Sequence, residues 1–224
     1  MKISILLPYK ENFSNKKSGA VSLFVNDIVK NSNKKNKTFV FGKTDEKHYL
    51  DKNYINLNYS TNFFKSHSKI YIKKFLDFEK ENNSDIIEVH NRPAYIDQIE
   101  KNTNSKIILY FHNDPTTMKG AKSAEERIYL LENVDKIIFI TEWVKKRFFK
   151  DLPNLSDNKT QVIYHSIDPI KKKIKKNKQI IFVGKLNESK GYDLYCKSMF
   201  KILNENKDWK AYSIGEEKRF QNFP

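Results

Sequence analysis

A chain of 224 residues is long enough for one large domain, or for one domain and part of another. Hydrophobic residues make up 38% of it and cluster in short runs, which excludes a wholly disordered chain. The 42 lysines and arginines outnumber 27 acidic residues and give a formal charge of +15, which suits nucleic acid, anionic lipid or phosphorylated partners. Because lysines are spread over the whole chain, we interpret most of this charge as solvated surface.

Cysteine content and hydropathy indicate a location. A single cysteine, Cys196, cannot form an internal disulfide, which is typical of a reducing compartment, and we expect it to pack within a helix. No apolar run approaches the ~18–20 residues that span a bilayer. The opening residues 1–8 are too short a run for a signal sequence and are typical of a strand entering a turn. The sequence therefore predicts a cytoplasmic protein, with peripheral contact to the inner face of an anionic membrane as a further option.

Short β-branched runs alternate with longer amphipathic segments. The predicted strands are 2–7, 38–41, 86–90, 107–112, 136–141, 162–164, 180–184 and 209–214. The predicted helices are 21–29, 66–81, 94–102, 124–133, 142–150 and 191–204. This alternation predicts an α/β fold with right-handed crossovers and a parallel sheet covered by helices on both faces. Ligands are then expected beyond the carboxyl ends of the strands.

Composition divides the chain into three parts. Residues 1–165 hold most of the predicted strands and form the first domain. Residues 166–178 are rich in lysine and contain Pro169, which predicts a linker. Residues 179–224 contain only a strand, a helix and a strand. Such a unit cannot bury both faces of its sheet, so we expect the incomplete start of a second domain.

Polar groups gather where predicted strands end or helices begin. Gly19 opens the first helix, whose N-terminus can face an anion, although glycine could also serve only the turn. The strand at 86–90 ends in a group of polar side chains, namely Glu88, His90 and Asn91. These residues lie where the topology expects a ligand, and capping of the strand and the next helix is the alternative.

The strand at 107–112 delivers His112, Asn113 and Asp114 to its carboxyl end. From spacing alone, a single histidine is more often structural than functional, and Asn113 and Asp114 also suit helix capping. Histidine can donate or accept a hydrogen bond near neutral pH, so His112 could hold a substrate hydroxyl.

The next strand leads into the helix predicted at 142–150. Thr141 is well placed as its N-cap. Trp143, Val144 and Phe148 are predicted to pack against the sheet.

The last strong motif is a strand that runs into a loop with Gly184 and Lys185, then Lys190, before a helix that opens at Gly191. Gly184 allows a backbone to approach a ligand closely, and two lysines beside a helix N-terminus favour an anion such as a diphosphate. Because lysine is so common in this chain, a strand-turn-helix with lysines placed by chance is the alternative.

Taken with the motifs around Gly19, His90 and His112, this loop resembles the donor-diphosphate loop of the family-4 retaining glycosyltransferases. The resemblance covers essentially all 224 residues. Lys185 stands where the family usually has arginine, which keeps the charge and loses the bidentate fork. At 161–168 the sequence departs again, since His165 and Ser166 replace an Asn-Gly pair and Asp168 is kept.

The resemblance implies the GT-B architecture, with a Rossmann-like acceptor domain followed by a Rossmann-like domain for the nucleotide-sugar donor. It implies a catalytic role for His112, which lines the cleft in the family. Donor diphosphate contacts are implied at Gly19, Gly184, Lys185 and Lys190. Acceptor contacts are implied at Glu88, His90, Asn91, Asn113 and Asp114.

The implied substrates are a nucleotide diphosphate sugar and a glycan or glycolipid acceptor of the lipopolysaccharide type, with no other cofactor, no metal and no nucleic acid. The charge of the departing diphosphate would be met by lysines and helix dipoles. The family also has two glutamates far into its second domain, beyond the last residue here. We therefore expect a truncated chain with little or no transferase activity of its own.

Other functions find weaker support in the sequence. There is no G-x-G-x-x-G after the first strand, no P-loop motif, no D-x-D at a strand end and no metal-ligand spacing. The rival hypothesis is a non-catalytic basic module that binds nucleic acid or anionic membrane. It would need exposed aromatic side chains among its lysines, and Tyr49, Tyr54, Tyr59, Phe63 and Phe64 are the candidates. We expect these aromatics to pack against the sheet instead. An inactive remnant is a third possibility.

Overall fold

The computed structural model describes residues 1–60, 66–152, 155, 158–167, 169, 171–172 and 175–215. The chain forms two compact units, Met1–Ser166 and Ile167–Pro224. Asp168, Phe63 and Phe64, which the sequence singled out, lie outside the described residues.

The first unit is built on a seven-stranded sheet whose neighbouring strands all run parallel. Its strands are β1 Ile3–Leu6, β2 Thr38–Gly42, β3 Tyr54–Asn56, β4 Ile86–His90, β5 Lys106–Phe111, β6 Lys136–Phe139 and β7 Thr160–Val162. Their order across the sheet is β3-β2-β1-β4-β5-β6-β7. The helices are α1 Ala20–Asn31, α2 His67–Asn82, α3 Ile96–Glu100, α4 Ala124–Asn133 and α5 Glu142–Phe148. The predicted α/β fold with a parallel sheet is confirmed.

Alternation along the strands explains the two cores. Successive side chains of a strand point to opposite faces of the sheet. In β1, Leu6 joins the larger core, which includes Phe75 of α2. Ile5 and Leu7 join the smaller core on the other face, which includes Val25 of α1. Helices on both faces explain why these strands are apolar at consecutive positions.

The second unit contains one parallel pair of strands, β8 Gln179–Val183 and β9 Lys210–Ile214, and the helix α6 Tyr192–Glu205. Apolar side chains on both elements stay exposed, including Val183 at 75% and Phe200 at 73%. Cys196 was expected to pack in the helix and is instead exposed. A two-stranded sheet covers little of a helix surface, and Met199 is the one residue of α6 that is buried among those described.

Most expected packing around α5 is confirmed. Thr141 caps this helix, since its hydroxyl accepts a hydrogen bond from the Val144 amide, and Val144 and Phe148 are buried. Trp143 was expected to pack against the sheet as well, and this prediction was wrong. Its ring is 58% exposed and lies 5.8 Å from the Arg147 guanidinium, because position 143 falls on the solvent side of α5.

Two strands differ from the sequence-based expectation. β3 was not predicted, because its three residues are too few to show an alternating pattern. β7 begins at Thr160, two positions before the predicted start.

Tyr54 of β3 is buried and stacks on Phe13 at 5.0 Å between ring centres, and Tyr59 packs against the larger core. Tyr54 and Tyr59 therefore pack as predicted, whereas Tyr49, which was also expected to pack, is 37% exposed.

A buried arginine links two turns of the first unit. Arg127 on α4 donates hydrogen bonds to the carbonyl oxygens of Ala121, Lys122 and Lys150. We expect Arg127→Met to lower the free energy of unfolding by about 2–4 kcal/mol, because one buried and two partly buried carbonyl acceptors lose a charged donor. Urea unfolding followed by circular dichroism measures this change. Lys122→Met removes the same charge from an exposed side chain and should cost less than about 0.5 kcal/mol. Equal costs for the two variants would refute this role for Arg127.

Candidate functional site

A cavity of about 480 Å³ opens at the carboxyl ends of the central strands of the first unit. This is the end of a parallel sheet at which ligands bind in open α/β folds. Its walls are Pro8, Lys10, Glu11, Ala20, Val21, Asn91, Arg92, His112, Asn113, Ile140 and His165. Of the residues singled out in the sequence of this unit, His112, Asn91 and Asn113 therefore reach the cavity.

Three of the five histidines of the chain form a hydrogen-bonded row beside this cavity. Nδ1 of His90 lies 2.9 Å from Nε2 of His112, and Nδ1 of His112 lies 3.2 Å from Nε2 of His165. His90 is fully buried, His112 is 8% exposed and His165 is exposed. The row therefore runs from the protein interior to the cavity wall.

Strand pairing brings these rings together. In the parallel register of β4 and β5, His90 lies beside Tyr110, and the two rings stack at 4.5 Å. His112 follows Tyr110 by two positions, so its side chain lies on the same face. Phe24 of α1 covers the outer end of the row and stacks on His165 at 4.1 Å between ring centres.

Burial keeps the central ring neutral. It lowers the pKa of His112 to about 2, with the neighbouring His90 and His165 acting in the same direction. Burial also lowers the pKa of His165. A neutral imidazole has one N–H and one lone pair. If all three rings are neutral, the two hydrogen bonds require the same tautomer in each ring, either Nδ1–H throughout or Nε2–H throughout.

Asn91 holds the backbone that follows the row. Its φ of 55° is in the left-handed region, which asparagine tolerates better than most residues. Its amide donates to the carbonyl of Tyr110 at 2.8 Å, and its side-chain oxygen accepts from the amide of His112 at 2.9 Å. Asn91 thus fixes the turn on which His112 stands while also lining the cavity.

Two of the expected acceptor residues lie behind the cavity wall. His90 is covered by His112, and the Glu88 carboxylate approaches the far nitrogen of His90 at 3.8 Å. Neither residue lines the cavity. Their contact with any ligand in the cavity would therefore pass through His112.

Asp114 is engaged by the protein itself. Its carboxylate accepts from the Thr116 amide at 3.0 Å and pairs with Arg147 at 2.8 Å. Burial alone would raise the pKa of Asp114, but the hydrogen bonds from Thr116 and Arg147 outweigh it and hold the pKa below its usual value. Asp114 therefore acts as a helix cap, which was the alternative expectation for this residue.

A protein carboxylate occupies the N-terminus of α1. Oε1 of Glu11 accepts from the Ser22 amide at 3.1 Å. A Cβ at position 19 would lie 2.2 Å from this oxygen, so Gly19 makes room for the carboxylate. The helix terminus that was expected to face a donor phosphate therefore already holds an anionic group. Glu11 was not singled out in the sequence, because nothing in its spacing links it to a helix nine residues later.

The second unit carries the remaining expected donor residues. Gly184 ends β8 with a φ of 156°, and Gly191 starts α6 in the left-handed region with a φ of 72°. Both conformations favour glycine over other residues. Lys185 and Lys190 are exposed on the loop between them. The loop therefore has the strand-turn-helix form predicted for it.

Metal-binding clusters and membrane-spanning helices are absent from the part of the chain that the structure describes. The residues described here contain no group of three or more His, Cys, Asp or Glu side chains arranged to hold a metal ion. Within the same part of the chain, no helix has the length and apolar character needed to cross a bilayer.

Comparison with known proteins identified a relative that resembles part of this sequence. No family model matches the sequence. YtcC of Bacillus subtilis (strain 168), provisionally named a glycosyltransferase, is 31% identical over 144 residues, an alignment that covers 55% of this chain and 35% of YtcC. The chain thus spans well under two thirds of the length of this relative.

Solved structures share the fold at low sequence identity. The lipopolysaccharide outer core galactosyltransferase WaaB matches with a TM-score of 0.61 and 15% identity, over 96% of this chain and 69% of WaaB. HepE of Anabaena, solved with UDP and glucose, matches with a TM-score of 0.55 and 12% identity, over 98% of this chain and 70% of HepE. The chain therefore has the Rossmann-like α/β fold of GT-B glycosyltransferases.

Proposed function

We propose that this chain belongs to a glycosyltransferase that moves a hexose or related sugar from a nucleotide diphosphate sugar to a surface-glycan acceptor, with retention of configuration and without a metal ion. The observation that carries the proposal is the position of His112 in the wall of a cavity beyond the carboxyl ends of β1, β4 and β5. The similarity to YtcC and the fold shared with WaaB and HepE support the same class of reaction.

The Glu88 carboxylate selects the direction of the histidine row. Oε2 of Glu88 and Nε2 of His90 face each other, and neither atom has a hydrogen-bond partner of normal geometry among the described residues. A lone pair on Nε2 of His90 would be repelled by the carboxylate, so this nitrogen carries the proton. With all three rings neutral, each then carries Nε2–H, and Nδ1 of His112 is an acceptor.

His112 can use this acceptor to hold a substrate. Its partner at Nδ1 is His165, whose ring is exposed and whose contact, at 3.2 Å, is the longer of the two. A sugar hydroxyl that replaces His165 would donate to Nδ1 of His112. Because the pKa of His112 is so low, this ring is a poor proton acceptor and acts by positioning the hydroxyl.

The loop from Gly184 to Gly191 is the proposed site for the donor diphosphate. The start of α6, which has no side-chain cap, and the ammonium groups of Lys185 and Lys190 suit its charge. These groups would stabilise the diphosphate as it leaves, which is the electrostatic part of the reaction. HepE, whose fold this chain shares, was solved with UDP and glucose, which supports a nucleotide-sugar donor.

We expect the ring of His112 to stay neutral from pH 8 to pH 5. Its folded pKa of about 2 lies below the value near 6.5 of an unfolded chain. The unfolded chain therefore binds a proton that the folded one does not, and the free energy of unfolding falls as pH drops below about 6.5. Imidazole ¹⁵N spectra recorded from pH 8 to pH 5 follow the ring directly. A His112 transition with a midpoint near pH 6.5 would contradict the expected burial.

The pair His112→Ala and His165→Ala tests the proposed function and the role of each ring. The assay measures release of nucleoside diphosphate from a panel of nucleotide sugars in the presence of glycan acceptors. We expect His112→Ala to lower the rate by about 100-fold, the usual effect of losing one positioned hydrogen-bonding group. His165→Ala should change it by less than about 3-fold, because His165 leaves when substrate binds. An equally large loss in both variants would show that His165 itself contacts the substrate. Because the sequence predicts little or no activity for this chain, absence of release alone does not decide the matter, and failure to bind any nucleoside diphosphate of the panel would count against the transferase.

Binding at the donor loop is a separate expectation. We expect UDP to shift the amide resonances of Gly184 and Gly191, and Lys190→Gln to weaken its binding by about 5-fold through loss of one charge contact. Lys197→Gln on α6 removes an exposed charge outside the loop and serves as the matched control. Titrations monitored by ¹H–¹⁵N spectra give both affinities. An equal loss in the two variants would indicate nonspecific attraction of the nucleotide to a basic surface.

A further inference from the structure

A second cavity, of about 460 Å³, lies beside the histidine cavity in the first unit. The two share the side chains of Lys10, Asn91 and Arg92 as walls. The second cavity extends from these residues toward the start of α2. It therefore adjoins the place where His112 would hold a hydroxyl.

Positive charge without matching negative charge marks this cavity. Its described walls include Lys10, Lys69, Arg92 and Lys119 and contain no aspartate or glutamate. None of these four side chains forms an ion pair with a carboxylate in the described part of the chain. A cavity of this kind attracts an anion and disfavours a second cation.

Arg92 gives the cavity a directed donor. Four of the 42 basic residues are arginines, and among the described ones Arg127 and Arg147 are engaged by carbonyl groups or by Asp114. Arg92 donates from Nη1 to the Asn91 carbonyl at 2.8 Å, and its guanidinium lies 6.0 Å from the centre of the Tyr9 ring. These contacts orient the guanidinium and leave most of its N–H groups available for an oxyanion.

Two further groups of donors face the same space. The helix α2 begins after Ser66 with no side-chain cap and no acidic residue in its first turn, and Ser66 and Ser68 line the cavity. Tyr95 also lines it and is 3% exposed. Its hydroxyl lies near Ser68 and Arg92 but has no hydrogen-bond partner of normal geometry among the described residues. Burial raises the pKa of Tyr95 to about 12, so this hydroxyl remains a donor at neutral pH.

We propose that this cavity binds a phosphate group of the acceptor, as a monoester or a diester. The inference rests on the proposed transferase function, because the shared wall would place the phosphate next to the hydroxyl held by His112. Arginine, lysines, the start of α2 and a buried hydroxyl together supply the several donors that a phosphate accepts. The acceptor would accordingly be a phosphorylated glycan or a glycolipid with a phosphate in its headgroup.

The binding test uses the full chain with glucose 6-phosphate as the probe and glucose as its uncharged counterpart. We expect glucose 6-phosphate to shift the amides of Arg92, Tyr95 and Lys69, with glucose causing no shift. Arg92→Gln and Lys69→Gln should each weaken binding at least 5-fold. Lys73→Gln removes an exposed charge one turn along the same helix and should weaken it less than 2-fold. Equal effects of Lys69→Gln and Lys73→Gln, or no effect of Arg92→Gln, would overturn the proposal.

Arg92→Lys separates the guanidinium fork from its charge. If the fork recognises phosphate, this variant should bind with intermediate affinity and melt at the same temperature as the unaltered protein. Affinity equal to that of the unaltered protein would mean that the positive charge alone accounts for binding, and it would overturn the directed role of Arg92.

Vesicles distinguish the two sources of phosphate. Binding to phosphatidylglycerol vesicles, absent for phosphatidylcholine vesicles and lost in Arg92→Gln, would support a lipid headgroup in the cavity. Binding that is lost equally in Lys73→Gln would indicate adsorption to the surface and would count against the cavity. Binding of nucleoside diphosphate at the donor loop is measured independently, so phosphate binding without nucleotide binding would reject the transferase and keep the site. Turnover without phosphate binding would reject the site and keep the transferase.

Discussion

The parallel pairing of β4 with β5 is the constraint on which the candidate site depends. Its register places His90 beside Tyr110 and brings the turn at Asn91 against the amide of His112. Shifting β4 by one residue relative to β5 would move the side chains of β4, including His90, to the opposite face of the sheet. Burial of the row is tolerable because the rings satisfy each other as neutral donors and acceptors, whereas an imidazolium at His112 would face two other imidazoles instead of a carboxylate. The same interactions that stabilise this edge of the sheet therefore also set the protonation state of His112.

Two helix N-termini in the first unit differ in what they hold. At α1, the Glu11 carboxylate accepts from the Ser22 amide, and Gly19 leaves room for it. A phosphate could bind there only by displacing Glu11, an exchange of one anion for another that gains little beyond the ~0.3–1 kcal/mol of a charge at a helix end. At α2, the first turn contains no acidic residue and no side-chain cap. An external anion is therefore better accommodated at α2 than at α1, although the resemblance pointed to α1.

Much of the fold could be predicted from the sequence, because strands buried on both faces are apolar at consecutive positions and stand apart from amphipathic helices. The strand β3 escaped prediction, since three residues show no pattern. Among the residues at the cavity, His112 was expected at the carboxyl end of a strand, but its catalytic role was implied only by the family resemblance. The row could not be predicted, because His90 and His165 lie 22 and 53 positions from His112 and only the tertiary fold brings them together. Trp143 and Cys196 failed for a related reason, since helical periodicity does not say which residues of a stripe find a partner.

The two adjoining cavities suggest how the first unit could distinguish its substrates. One presents neutral imidazole at His112, which suits a hydroxyl, and the other presents Arg92 and three lysines, which suit an oxyanion. A molecule that carries both groups at the right spacing would be held at two points, and its orientation would be fixed before reaction. A neutral sugar would contact only the His112 cavity and would bind more weakly. The cationic cavity would therefore raise specificity for substrates that carry a negative charge remote from the reacting atoms. Because Asn91 and Arg92 form part of both walls and are neighbours in sequence, the spacing between the two points is set by one short turn after β4.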